Sequence, residues 1–265
     1  MQVAVWSVIG LATGTVCLLA AALALQRNLL FPAPKRQAFL DAPHHHVRRL
    51  RIPVCGGCLE GYLASPLEGR SCTRGVLYFH GRRENPTSIY RGLRELQGMH
   101  VACFRYRQQG WQWRKPAETT LVNDGLDVLA WMASHLGVHS DAIALVGRSL
   151  GAAIAVQVAA RSRSRCLVLV SPFDSLLHVL QRPLPWVRAW MLKDHYQTQD
   201  HIAKVSCPVL IIVGNNDRAV PPALSLKLLA LCHSTAALHE VAAGGHRGLM
   251  RQAQVHHAIG SFCTA

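Results

Sequence analysis

Residues 144–153 read ALVGRSLGAA, with Ser149 held between Gly147 and Gly151 where an apolar run gives way to an alanine-rich one. Serine is a favoured helix N-cap, so a Gly-x-Ser-x-Gly pattern arises without chemistry in many chains. The same pattern marks a nucleophile elbow when a strand precedes it and a helix follows. Context decides between them: residues 142–146 form a short buried-strand pattern that stops at Gly147, and a helical run starts at Leu150. A serine on such a turn is forced into a strained backbone conformation, and the flanking glycines remove Cβ atoms that would clash. At the carboxyl end of a sheet its Oγ is exposed above the positive end of the following helix.

The rest of the chain supplies that sheet. Residues 75–79, 100–104, 142–146, 166–170, 208–213 and 237–241 are short runs rich in Val, Ile or Leu and bounded by turn residues. Their near-continuous apolarity predicts parallel strands buried on both faces. Longer amphipathic stretches separate them, such as Leu121, Gly125, Val128, Leu129, Met132 and Leu136 at three-four spacing. Strands alternating with helices imply βαβ units, hence an α/β fold with a mostly parallel central sheet and helices on both faces. Two further runs, 47–54 and 59–65, flank Gly56-Gly57 and read as an antiparallel hairpin on the sheet edge. One interval breaks the rhythm: residues 172–200 are proline-interrupted and carry Trp186, Trp190 and Met191. That interval is either an ordinary packed insertion or a small cap over a pocket.

The chain has 265 residues. From Val3 to Leu25 it carries no charge; about 23 residues at ~1.5 Å rise give roughly 34 Å, enough to cross a ~30 Å hydrocarbon layer. A cleaved secretory signal is the rival, since Ala22-Leu23-Ala24 offers a small-x-small site, but no Lys or Arg precedes the run and it exceeds a usual signal core. A retained single-pass anchor over residues 1–26 is therefore expected, then a proline-rich and basic connector over 27–45 and one soluble domain over 46–265. Arg27, Lys35, Arg36 and the basic residues at 48–51 follow the apolar run, which places that domain on the cytoplasmic side.

Lys and Arg number 28 against 14 acidic residues, a net charge of +14. No nucleic-acid fold signature accompanies this excess, whereas a membrane span does, so an anionic lipid surface is the expected partner and nucleic acid is not. Nine scattered cysteines fit reduced thiols better than a disulfide framework. Cys55 and Cys58 have redox or zinc spacing but sit across the expected hairpin turn, and His44, His45 and His46 point alternately in an extended chain, so they read as a solvated lead-in rather than a metal site.

A serine nucleophile needs a base, and the base needs orienting. His246 stands in AAGGHRG just after a strand run, and Asp217 stands in IIVGNNDRAVP just after another. The order Ser149, Asp217, His246 is one of the known triad orders, with Asp174 as the backup acid. Oxyanion donors are expected from the main-chain amides of Arg82 and Leu150, and His80 is expected to brace the His80-Gly81-Arg82 loop. No cofactor or metal is required.

From about Arg48 onward the chain resembles the α/β-hydrolase superfamily, in its branch of membrane-anchored α/β-hydrolase-domain and serine-aminopeptidase-like proteins. The resemblance rests on FHGRREN, FRYRQQG, KPAE, VGRSLG, SPF, PVLIIVGNNDRAVP and GGHRG. It implies an esterase, thioesterase or lipase-like hydrolase acting through Ser149, Asp217 and His246, on a small acyl ester, thioester or lipid. Family members often carry Asn where Arg82 stands, and an Asp-Tyr-Arg-Gly-Tyr-Gly loop where this chain has residues 105–110. Arg82 and Arg105 at the expected mouth, with Trp111 and Trp113 nearby, point to an anionic or lipid-bearing substrate or else to a basic solvated loop. A peptidase of the same fold and a non-catalytic membrane-tethered binding module are the alternatives.

Overall fold

The computed structural model describes residues 45–67, 72–96, 98–107 and 116–265, together with Thr13, Gly14 and Arg27. Apart from Thr13 and Gly14, the expected anchor at 3–25, most of the connector, Trp111 and Trp113 lie outside the described residues. Among the described residues no helix is long and apolar enough to cross a membrane.

Among the described residues, eight strands, numbered in chain order, make one sheet in the order β1-β2-β4-β3-β5-β6-β7-β8. β1 (His45–Val54) and β2 (Gly57–Pro66) pair antiparallel, and β2 pairs antiparallel with β4 (His100–Phe104). β3 (Gly75–Phe79), β5 (Ile143–Arg148), β6 (Leu167–Val170), β7 (Val209–Gly214) and β8 (Ala236–Val241) complete the sheet with parallel pairings from β4 onward. The unbroken apolar runs have a direct cause: Leu77 and Phe79 enter one core while Val76 and Tyr78 enter the other. Both faces are thus covered, as a parallel sheet requires.

One face carries α1 (Glu118–Leu136) and α2 (Leu150–Ala159), and the other the 3-10 segment Pro86–Leu96 and α6 (Ala253–Thr264). Gly137 ends α1 in the left-handed region at φ 65, where its amide meets the Ala133 and Ser134 carbonyls. Between β6 and β7 the chain makes only short helices, α3 (Leu176–Gln181) and α4 (Thr198–Ile202), with a 3-10 turn at Ala189–Met191. α5 (Pro222–Ala230) then crosses from β7 to β8.

Two expectations shift. Val54 pairs with Gly57, so the hairpin turn is Cys55-Gly56, one position earlier than the Gly56-Gly57 pair suggests, with Gly56 supplying the positive φ of 77. His45 and His46 open β1 instead of forming a solvated lead-in, and His45 is buried. The eight cysteines among the described residues are free thiols.

Candidate active site

Ser149 is the single residue between β5 and α2, and its backbone takes φ 51, ψ −117. Such a conformation costs an L-residue about 1–3 kcal/mol and persists only when its surroundings impose it. Here they do. The Ser149 amide donates to the Val170 carbonyl of β6 at 2.9 Å, and the Ser149 carbonyl accepts from the Ala152 amide at 2.9 Å. A Cβ on Gly151 would lie 2.1 Å from the Phe79 carbonyl oxygen, and one on Gly147 would lie 2.7 Å from the Ala152 Cα. Gly151 thus lets α2 start directly against the end of β3, and Gly147 lets its first turn pack on the end of β5. The Leu150 amide, one of the first helical N–H groups with no intrahelical partner, comes with it.

The chain leaving β3 is braced at His80. Its ring stacks on Tyr106 with centroids 4.1 Å apart, its Nδ1 lies 2.8 Å from the Gly81 carbonyl, and the Tyr106 hydroxyl donates to the His80 carbonyl at 2.7 Å. Burial pushes the His80 pKa down to about 4, so the ring is neutral near pH 7. The Gly81 amide donates to a Glu84 carboxylate oxygen at 2.8 Å, which fixes the turn carrying Arg82, whose side chain is exposed.

Asp217 and His246 come from the turns after β7 and β8. Their backbones are pressed together, since a Cβ on Gly214 would lie 2.2 Å from the Gly244 oxygen, and the Asn216 amide donates to that same oxygen at 3.1 Å. As a result the His246 Nδ1 meets Asp217 Oδ2 at 2.7 Å. Asp217 Oδ1 accepts from the Ala219 and Val220 amides at 3.0 and 2.8 Å, which holds the carboxylate's plane. Burial alone would raise the Asp217 pKa, but the hydrogen bond and charge of His246 together with the Val220 amide outweigh it and hold the carboxyl below its ordinary value. An ionised acid on Nδ1 leaves Nε2 as the nitrogen able to exchange a proton.

Two residues with no assigned role in the motif reading link these loops. The Arg148 guanidinium lies 3.1 Å from the Glu84 carboxylate and also donates to the His246 carbonyl. Glu84 in turn accepts from the Ser88 hydroxyl at 2.6 Å. One buried ion pair therefore connects the residue before Ser149, the turn after His80 and the main chain of His246. Nothing in a single sequence marks a contact between positions so far apart.

Asp174, the backup acid, is fully buried and meets different partners: the His178 Nδ1 at 2.7 Å, the Lys227 Nζ at 3.2 Å and the Ser175 amide at 2.8 Å. Arg105 turns to Glu60 on β2 at 3.3 Å, and Arg107 forks onto Asp124 of α1. Among the described residues no cluster of His, Cys, Asp or Glu could hold a metal ion.

Comparison with known proteins places this geometry in context. The chain is 40% identical over 134 residues to the uncharacterized protein Rv2307c of Mycobacterium tuberculosis, covering 50% of this chain and 48% of the relative. It is 27% identical over 189 residues to the lysophosphatidylserine lipase ABHD12 of Danio rerio, covering 62% and 48%. The chain thus spans about half the length of these two relatives. The esterase Pf2001 of Pyrococcus furiosus shares the fold with a TM-score of 0.67 at 17% identity, covering 87% of this chain and 98% of that one. The α/β-hydrolase fold expected from the motifs is therefore the fold found, among serine-hydrolase relatives. The model of the prolyl oligopeptidase family matches residues 99–262, more than half of the chain, and the protein belongs to that family.

Proposed function

We propose that this protein is a serine hydrolase, held at a membrane by residues 3–25, that cleaves carboxylic esters or thioesters of small or lipid-like substrates. Its support is chiefly the Asp217–His246 pair at 2.7 Å, set at the same sheet edge as the strained turn of Ser149. In this reading the Ser149 Oγ attacks the acyl carbon while His246 Nε2 takes its proton. The Leu150 and Arg82 amides receive the developing oxyanion, each worth about 2.7–4 kcal/mol to the transition state. Collapse expels the alcohol or thiol, which carries off the proton returned by His246, and leaves an acyl group on Ser149. Water, deprotonated by the same imidazole, then releases the acid and restores the serine. Asp217 keeps the imidazole in the tautomer and orientation this requires.

The family match favours one second reading, hydrolysis of a peptide amide by the same residues. A panel of acyl esters, acyl thioesters and peptide anilides offered to the full-length protein in nanodiscs separates the two. Ester and thioester turnover lost in Ser149→Ala, with an acyl adduct on Ser149 after an acid quench, is the expected result. Preference for the anilides moves the assignment to a peptidase. Turnover unchanged in Ser149→Ala overturns both readings.

A further inference from the structure

The segment between β6 and β7 presents an unusual surface. Residues 182–190, RPLPWVRAW, are exposed apart from Val187. Leu184 is 40%, Trp186 55% and Trp190 75% exposed. Two largely exposed tryptophans four residues apart, midway along the connection from β6 to β7, form an apolar patch of the kind that marks an interaction site.

The charge around them identifies its chemistry. Residues 175–193 contain no Asp or Glu but do contain Arg182, Arg188 and Lys193. The flanking carboxylates are withdrawn from the surface: Asp174 is buried on His178 and Lys227, and Asp194 is buried on Arg27. Tryptophan combined with basic residues is the composition of the membrane–water interface, where indoles settle at headgroup level and cations meet anionic lipid.

Continuity with the chain before β1 supports the same partner. Arg27, two positions beyond the apolar run that ends at Leu25, forks onto Asp194 with nitrogen–oxygen distances of 2.6 and 2.9 Å. Asp194 also accepts from the Glu118 amide at 2.9 Å, and Glu118 accepts from the His195 and Tyr196 amides at 2.9 Å and from Gln157 of α2 at 2.7 Å. Arg27 is thereby bolted, through Asp194 and Glu118, to the helix that follows Ser149. At ~3.6 Å per residue, Leu25 lies within about 7 Å of Arg27 along the chain and Trp190 within about 14 Å of Asp194. A membrane boundary at residue 25 would pass close to the tryptophan surface.

We propose that residues 182–190 form a membrane-docking surface that seats on an anionic bilayer leaflet, with Trp186 and Trp190 in the interface and Arg182 and Arg188 among the headgroups. This rests on the reading of residues 3–25 as a membrane span and is independent of the catalytic assignment. The segment leaves the same sheet edge at which Ser149 stands, so docking turns that edge toward the leaflet, and a lipid-like acyl substrate reaches it without crossing bulk water.

The test places a benzoylphenylalanine crosslinker at position 190 of the full-length protein in vesicles of phosphatidylcholine and phosphatidylserine. A second protein carries it in place of Leu231, beyond the end of α5 that returns the chain to the opposite sheet edge. Resistance to alkaline carbonate extraction reports separately on the span. Lipid adduct at 190, absent at 231 and reduced several-fold by Arg182→Glu with Arg188→Glu, is the expected result. Protein that stays embedded yet gives no lipid adduct at 190, equal adduct at both positions, or crosslinks to a second copy of the chain overturns the docking surface. Release by carbonate overturns the span on which it depends.

Discussion

Arg148 and Glu84 form a buried ion pair at 3.1 Å, and the same guanidinium donates to the His246 carbonyl. Burial alone would raise the Glu84 pKa, but Arg148, the Ser88 hydroxyl and the Gly81 amide overcome it and hold the carboxyl below its ordinary value. Removing one partner of such a pair strands the other charge, at a cost of about 3–5 kcal/mol. Glu84→Gln and Arg148→Met should each lower the urea midpoint accordingly. The double variant should lose clearly less than the sum, and additive losses would show that the pair is not coupled.

The acid assignment separates cleanly. Asp217→Asn removes the carboxylate that orients His246 and should lower kcat about 10³–10⁴-fold with little change in folding. Asp174→Asn unpairs His178 and Lys227 instead and should act on stability. Full activity in Asp217→Asn with loss in Asp174→Asn would reverse the roles.

Much of this arrangement was legible in the chain because buried parallel strands write themselves as short apolar runs. β3 and β4 coincide with the runs at 75–79 and 100–104, and Ser149, Asp217 and His246 stand on the turns that follow the runs at 142–146, 208–213 and 237–241. What escaped reading was set by distance rather than pattern. The Arg148–Glu84 pair joins residues 64 positions apart (148 − 84). Arg105 looked available at a mouth, but β2–β4 pairing places Glu60 beside it. The turn at Cys55-Gly56 depends on strand register, which two adjacent glycines leave ambiguous.

Gly151 is a contact, not a hinge. A methyl group there meets main-chain oxygen at 2.1 Å, and backbone cannot yield as a flexible side chain does. Gly151→Ala should cost at least about 1–3 kcal/mol and lower the melting temperature, or prevent folding. Gly248→Ala, where the nearest heavy atom is 3.6 Å away, is the matched control and should melt close to wild type. Equal melting of the two variants would refute the close approach of α2 to β3.

His80 predicts a pH dependence. Its pKa falls from 6.5 to about 4 because burial disfavours the imidazolium. Between those values the unfolded chain binds more protons, so stability declines as the pH drops, by about 2 kcal/mol at about pH 5. The depressed Asp217 and Glu84 carboxyls stabilise the fold above the usual carboxylate range, and that contribution is lost at still lower pH as their folded values are crossed. Urea titrations at neutral and mildly acid pH should show this slope in wild type and a flatter one in His80→Gln. An unchanged slope would mean that His80 is not the group responsible.

The central claim is that Ser149 is an activated nucleophile. Incubating the membrane-embedded protein with a fluorophosphonate and mapping the adduct by mass spectrometry tests it most directly. The account predicts a phosphonyl adduct on Ser149, abolished in Ser149→Ala and strongly slowed in His246→Ala. A folded wild-type protein that leaves Ser149 unlabelled, or labels equally well without His246, would contradict it.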